Sequence, residues 1–223
     1  MDFKEEENAM KYTTVIFDLD GTLLNTIEDL TDSVNFVCDK LGYPVYTIET
    51  IKTFVGNGIR KLLERAIPGG RENKDYENAY KLFCEHYQKN CHNKTRPYEG
   101  ILELLSHLKQ KGCKLAIVSN KNDDAVQQLN REFFGEYISV AVGQSDTTKK
   151  KPAPDTVFAA MSQCHAAGGN TLYIGDSEVD WQTADNAGID CVLVSWGFRP
   201  KETLMQLHPV MLADTPEQIE HLF

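Results

Sequence analysis

The sequence predicts an α/β fold, a doubly wound parallel sheet interrupted by one purely helical insertion. Three observations carry that prediction. Short apolar runs rich in β-formers recur at 14–17, 114–118, 139–142, 171–174, 191–194 and 210–213, each followed by a helical pattern. Most of these runs are continuously apolar rather than alternating, as parallel strands covered on both faces require. Between residues 26 and 97, by contrast, helical spacing continues with no convincing strand.

The elements follow in order. After the first run, Thr26 is expected to cap a helix with Asp29 three positions on, and Ile27, Leu30, Val34, Val37 and Leu41 line one face before Gly42. Ile59, Leu62, Leu63 and Ala66 mark another helix, and Tyr76, Tyr80, Phe83, Tyr87 and Cys91 a longer one. Roughly seventy residues of helix is too much for a crossover, which needs a dozen or more. The segment is therefore expected to be a separate helical module, entered near Asn25 and left near Arg96 and Pro97. The remaining helices return to the alternating plan. Ile101, Leu104, Leu105 and Leu108 form a stripe closed by Gly112, and Thr215-Pro216-Glu217-Gln218 reads as a capping box with proline at the first helical position. Strand and helix alternation of this kind gives the doubly wound sheet.

Bulk properties bound the function. The 223 residues carry 41% hydrophobic and 25% charged side chains, the balance of an ordinary globular protein. A formal net charge of −10 argues against a nonspecific nucleic-acid or anionic-membrane binder, while leaving room for a small anion in a local pocket. No apolar run reaches the ~20 residues of a membrane span. The acidic start, MDFKEEENAMKY, lacks a signal-peptide core, and residues 1–9 are expected to be a disordered or extended lead-in. Six cysteines without CxxC spacing read as reduced, buried thiols of a cytoplasmic protein. The six histidines match no chemical station, and Trp181 and Trp196 read as packing residues.

In an open parallel sheet, ligands bind at the carboxyl ends of the strands. The first run ends in Asp18 and Asp20, the second in Ser119 and Asn120; the third is followed by Lys151 before Pro152, and the fourth by Asp176 and Asp180. Singly, each has a bland reading: a turn for D-x-D-G-T, a helix cap for Ser119, a solvated run for the lysines, first-turn acids for Asp176 and Asp180. Together at four strand exits they match phosphoryl chemistry. Asp18 is the candidate nucleophile, and Asp20, expected to project to the same side, the proton donor and acceptor. Repulsion between a carboxylate and one phosphate charge at ~4 Å costs about 4 kcal/mol at an effective dielectric of ~20. A divalent cation among Asp18, Asp176 and Asp180 removes that obstacle, and hard oxygen ligands beside phosphate point to Mg²⁺. Lys151 and Ser119 would hold phosphoryl oxygens.

With DLDGT at 18–22, VSNK at 118–121, KPAPD at 151–155 and GDSEVD at 175–180, the chain resembles the haloacid dehalogenase superfamily of aspartate-nucleophile phosphatases over essentially its whole length. The resemblance implies a Rossmann-like core formed by 10–25 and 98–223, with a helical cap at 26–97. It also implies that Asp18, the backbone carbonyl of Asp20, and Asp176 hold Mg²⁺, with Asp180 close by. FVGNGIRKLLERA at 54–66, SNKNDD at 119–124 and SWGF at 195–198 are similar to the phosphoglycolate phosphatase branch. That likeness implies a cap loop, Val55-Gly56-Asn57-Gly58, that shapes the leaving-group pocket. Gly56 and Gly58 there suit close approach and positive φ, and Asn57 and Arg60 are candidate substrate contacts. Asn25 stands where many relatives carry an aspartate.

The expected activity is Mg²⁺-dependent hydrolysis of a small phosphate ester by a monomer or homodimer. A pyrophosphatase or sugar phosphomutase shares the chemistry. A dehalogenase has no use for Asp20 or a metal. A phospho-receiver-like binding module would carry its accepting aspartate on the third strand and lack the insertion.

Overall fold

The protein is described by a computed structural model, which covers residues 10–146 and 148–223. The lead-in expected at 1–9 lies outside the described residues. Strand β1 (Thr14–Phe17) is followed by the two-residue β2 (Leu24–Asn25) and four helices: α1 (Ile27–Leu41), α2 (Ile48–Phe54), α3 (Ile59–Ala66) and α4 (Tyr76–Asn90). The two-residue β3 (Arg96–Pro97) leads to α5 (Ile101–Gln110), β4 (Lys114–Asn122), α6 (Asp123–Leu129) and β5 (Val140–Gln144). Then come α7 (Asp155–Cys164), β6 (Thr171–Gly175), α8 (Glu178–Ala187), β7 (Asp190–Val194), α9 (Lys201–Met205), β8 (Met211–Ala213) and α10 (Pro216–Glu220).

Six strands form one sheet in the order β5-β4-β1-β6-β7-β8, every neighbouring pair parallel. Alternation along each strand sends its side chains to two apolar layers. Val15, Phe17, Leu115, Ile117, Leu172 and Ile174 pack with Ile101, Leu104, Leu105, Leu108 and Ile219 on one face. Ile16, Ala116, Val118 and Tyr173 pack with Val157, Ala160 and Leu204 on the other. Both faces being covered, the strands read as unbroken apolar runs. This is the doubly wound α/β fold expected. Its consequence for function is positional: β1 lies centrally, so its carboxyl end sits between those of β4 and β6.

Helices α1–α4 gather a third apolar layer of Val34, Val37, Ile51, Leu63, Ala79 and Phe83. Gly42 takes φ 73° and stops α1 where the sequence indicated. Helix α2, whose Thr47 accepts from the Thr50 amide, has too few apolar positions to announce itself. The two ends of this helical segment pair with each other, Leu24 opposite Pro97 and Asn25 opposite Arg96, in an antiparallel ribbon too short for a sequence signal. Asp29 serves that junction rather than a capping role. Its buried carboxylate accepts from the Lys94 and Thr95 amides and from Thr95 Oγ1, at 2.8 to 3.1 Å. Thr26 makes no side-chain cap bond. Thr215 makes none either; Gln218 Oε1 instead accepts from the Asp214 amide, outside the expected box.

Among the described residues no helix is long and apolar enough to cross a membrane. All six cysteines are free; Cys84 and Cys91 are half-buried rather than buried, Cys91 standing just past the end of α4. Trp181 and Trp196 pack against the two sheet layers, and Trp196 Nε1 also donates to the Thr22 carbonyl at 3.1 Å.

Candidate active site

The carboxyl ends of β1, β4 and β6 and the segment after β5 open into one cleft of about 340 Å³, roofed by the loop between α2 and α3. Asp18, Asp20, Ser119, Asn120, Lys151, Asp176 and Asp180 all line it, as do Gly56, Asn57, Gly58 and Arg60. The topology thus brings every residue singled out in the sequence to one place.

Strand β1 ends at Phe17, and Asp18 and Asp20 in the turn beyond it both line the cleft, each with its own lysine partner. Lys151 Nζ donates to Asp18 Oδ1 at 2.6 Å, to Asp180 Oδ1 at 2.7 Å and to Tyr173 Oη at 3.1 Å. Tyr173 in turn donates to Asp180 Oδ1 at 2.9 Å. Asp180 Oδ2 accepts from Ser177 Oγ, the residue that also caps α8 by accepting from the Asp180 amide. Asp176 Oδ2 accepts from the Phe198 amide at 2.7 Å.

This cluster is buried at the floor of the cleft: Asp18, Lys151, Asp176 and Asp180 are each at most 6% exposed. Burial raises Asp18 to about 7, outweighing the lowering by the Lys151 ammonium. Burial and the negative charges of Asp180 and Asp18 lift Asp176 well above the ordinary carboxylate range. Burial opposes ionisation of Asp180 as well, but the Lys151 ammonium and the bonds from Ser177 and Tyr173 outweigh it and hold that carboxyl low.

Three carboxylates around one ammonium leave a surplus of two negative charges when all are ionised. Asp18, Asp176 and Asp180 each offer an oxygen, all within 4.8 Å of one another. A hard divalent cation fits this donor set in number and in charge. The packing behind it leaves no slack, because a Cβ on Gly197, within the SWGF segment, would run into Asp176 and come within 2.6 Å of the Gly21 carbonyl. The Asp20 carboxylate is not in this acid group, which leaves its backbone carbonyl as the group that the family resemblance assigns to a metal.

Asn120 holds Lys151 rather than reaching into the cleft with its amide. Its Oδ1 accepts from the Lys151 amide at 2.7 Å and its Nδ2 donates to the Lys151 carbonyl at 3.1 Å. Ser119 is buried and its Oγ accepts from the Lys121 amide. On the roof, Gly56 and Gly58 take φ 119° and 80°, the positive values expected. Arg60 lies over the Tyr80 ring at 4.0 Å and pairs with Glu77 at 3.0 Å.

Sequence reasoning missed two cations here. Lys121 binds Asp20. Arg199 forms a two-pronged pair with Glu178, at 2.7 and 3.1 Å, and donates to the Lys52 carbonyl of α2 at 3.0 Å and the Val55 carbonyl of the roof at 2.8 Å. At Gly56 the φ of 119° is strained for any other residue, and a Cβ there would also come within 2.7 Å of that guanidinium. Arg199 follows SWGF directly and Lys121 closes VSNK, so nearness to those two motifs was the available signal.

The sequence pattern of the haloacid dehalogenase-like hydrolases matches residues 15–194, which span all four strand-end stations. The chain belongs to that family. A phosphoglycolate phosphatase of Psychrobacter arcticus is 34% identical over 209 residues, 90% of each chain. That of Pseudomonas syringae pv. syringae is 31% identical over 206 residues, 90% of this chain and 75% of the relative. A crystal structure from Lactobacillus delbrueckii subsp. bulgaricus, assigned provisionally to the phosphoglycolate phosphatases, superposes with a TM-score of 0.91 at 35% identity, covering 95% of this chain and 98% of that one. Membership in the family and likeness to this branch agree with the motifs from which the resemblance was drawn.

Proposed function

We propose that the protein is a Mg²⁺-dependent phosphomonoesterase acting on a small phosphorylated metabolite of the phosphoglycolate kind, through an aspartyl phosphate on Asp18. The observation that carries this reading is the pairing of Asp18 with Lys151 beside two further buried acids, at the head of a cleft wide enough for a small ester. The names of the relatives support the substrate class.

An Asp18 oxygen attacks phosphorus while the bond to the leaving oxygen breaks, and Asp20 gives that oxygen its proton. Asp20 then takes a proton from water, whose oxygen displaces Asp18 from phosphorus. Lys151 keeps Asp18 oriented; the bond to Tyr173 is the one it can exchange for a phosphoryl oxygen, because Tyr173 already donates to Asp180. Ser119 supplies a hydroxyl on the neighbouring strand end. Mg²⁺ held by Asp18, Asp176 and Asp180, with the Asp20 carbonyl, would supply Lewis-acid stabilisation of charge on the phosphoryl group.

In this reading residues 26–97 are a cap whose loop 55–58 closes over the substrate and excludes water. Asn57 and Arg60 face the leaving group and set which ester is preferred. The test is hydrolysis of p-nitrophenyl phosphate, expected to vanish with a chelator and to return with Mg²⁺, followed by a panel of phosphorylated metabolites. Activity insensitive to the chelator, or preference for a pyrophosphate over every monoester, overturns the assignment.

A further inference from the structure

Lys121 stands at the β4 exit but takes no part in the cluster around Lys151. Its Nζ donates to both oxygens of Asp20, at 2.9 and 3.1 Å, and to Tyr87 Oη at 3.1 Å. The ion pair is nearly enclosed, with side-chain exposures of 9% for Lys121 and 18% for Asp20. Tyr87 is buried too, its ring stacked on Phe83 with centroids 5.4 Å apart. An ammonium so stripped of water needs replacement partners, and here they come from two separate parts of the fold: the turn after β1 and helix α4. Gripped through both oxygens, the Asp20 carboxyl is held in one orientation over the cleft, where a solvated carboxyl would rotate.

We propose that Lys121 is the positioning residue of the leaving-group acid, and that the Tyr87 hydroxyl makes its grip depend on α4 resting against the β4 exit. The inference rests on the reading of Asp20 as proton donor. During cleavage the Asp20 O–H bond breaks as an O–H bond forms on the departing oxygen, whose bond to phosphorus breaks. The electron pair left on Asp20 makes it a carboxylate facing the ammonium. Asp20 enters this step carrying the proton it took from the attacking water of the preceding turnover. Lys121 keeps its own protons throughout, and the ion pair it makes with the Asp20 carboxylate exists after the step and not before it, so its help falls on the transition state. In the second half Asp20 accepts a proton from the attacking water, and the same grip orients its lone pair.

A proton donor matters in proportion to the basicity of the leaving oxygen. The experiment compares phenyl phosphate with p-nitrophenyl phosphate, esters of similar shape whose leaving groups differ in basicity, in Asp20→Asn, Lys121→Met, Lys121→Arg and Tyr87→Phe, with folding checked by circular dichroism. Lys121→Met is expected to lower kcat on phenyl phosphate about 10-fold or more beyond its effect on p-nitrophenyl phosphate, with KM within about 3-fold of the parent. Lys121→Arg restores part of the loss, and Tyr87→Phe moves kcat in the direction of Lys121→Met by about 3-fold. Equal losses on both esters in Asp20→Asn defeat the proton-donor reading itself. Discrimination in Asp20→Asn together with equal losses, or a change confined to KM, in Lys121→Met defeats the present inference and leaves that reading standing. Should Lys121→Met not fold, Tyr87→Phe decides, since it removes one oxygen and keeps the ring stack: discrimination supports the proposal and its absence overturns it.

Discussion

Burial lifts the Asp18 carboxyl from its ordinary 3.8 to about 7, a shift that a thermal melt can read. Three pH units of displacement correspond to about 4 kcal/mol. The sign follows from which state holds the proton more tightly. A carboxyl whose value is raised by folding favours the folded chain while protonated; that contribution is complete below about pH 4 and is lost as pH rises to 7. Asp176 is displaced the same way, whereas Asp180, held low, contributes stability above its unfolded value that is lost as pH falls. The Mg²⁺ of the proposed function would need the ionised acids, so protons should compete with it. At pH 5, two units below the folded value of Asp18, the Asp18 proton alone weakens the apparent dissociation constant about 100-fold relative to pH 8. With Mg²⁺ at about 100 times its pH 8 dissociation constant, binding stabilises the chain by about 2.7 kcal/mol at pH 8 and about 0.4 kcal/mol at pH 5. For a chain of this length those figures become roughly 5–10 °C and roughly 1 °C in Tm. Calorimetry with Mg²⁺ against a chelator at the two pH values measures the difference, in which groups remote from the site cancel. Equal shifts at pH 5 and pH 8, or no shift at pH 8, would refute the argument that these acids form the cation site.

Under the proposed mechanism Asp18→Asn removes the attacking charge while keeping the shape of the buried cluster; turnover is expected to fall to background with the fold intact, and a stopped assay with a folding check reads both. Exchanging Asn57 or Arg60 for alanine is expected to reorder the preferred phosphate esters, and an unchanged ranking removes them from the leaving-group pocket. Arg199→Met deletes an ion pair with Glu178 of α8 and two carbonyl contacts, to Lys52 of α2 and to Val55 of the 55–58 loop, that together tie the roof to α8. Charge-assisted bonds of this kind contribute about 1.5–3 kcal/mol each, so KM for a small ester should rise about 10-fold, with faster proteolysis near residue 56. An unaltered KM and cleavage pattern would show that the loop holds itself.

The sheet was legible because its strands are buried on both faces: Val15-Ile16-Phe17 and Leu172-Tyr173-Ile174 have no polar break to obscure them. The acids were legible because charge at the tip of an apolar run is out of place. What escaped notice had no such contrast. Tyr173 passes for one more core residue, and its hydroxyl shows its purpose only beside Lys151 and Asp180. Lys121 closes VSNK directly after the expected pair Ser119 and Asn120, a nearness that marks the position without distinguishing an enclosed lysine from a solvated one. Asp29 fits a capping position in the sequence, yet its partners at Lys94 and Thr95 lie 65 and 66 residues away. Local patterns cannot encode a bond closed by the path of the chain. The role of Asn120 shows the same limit, since a side chain at a cleft wall can serve the backbone behind it.

The ribbon of Leu24–Asn25 against Arg96–Pro97 makes the helical segment a cassette, with both of its splice points side by side. Under the proposed function, a relative's insert exchanged there is expected to keep β1 and β4 in register and to bring its own leaving-group preference to Asp18. The graft must carry an acid at position 29 together with the 94–95 turn, because that carboxylate is the staple joining the two seams. Chimeras cut inside the staple are expected to come apart at the junction, and those cut outside it to change selectivity without changing chemistry.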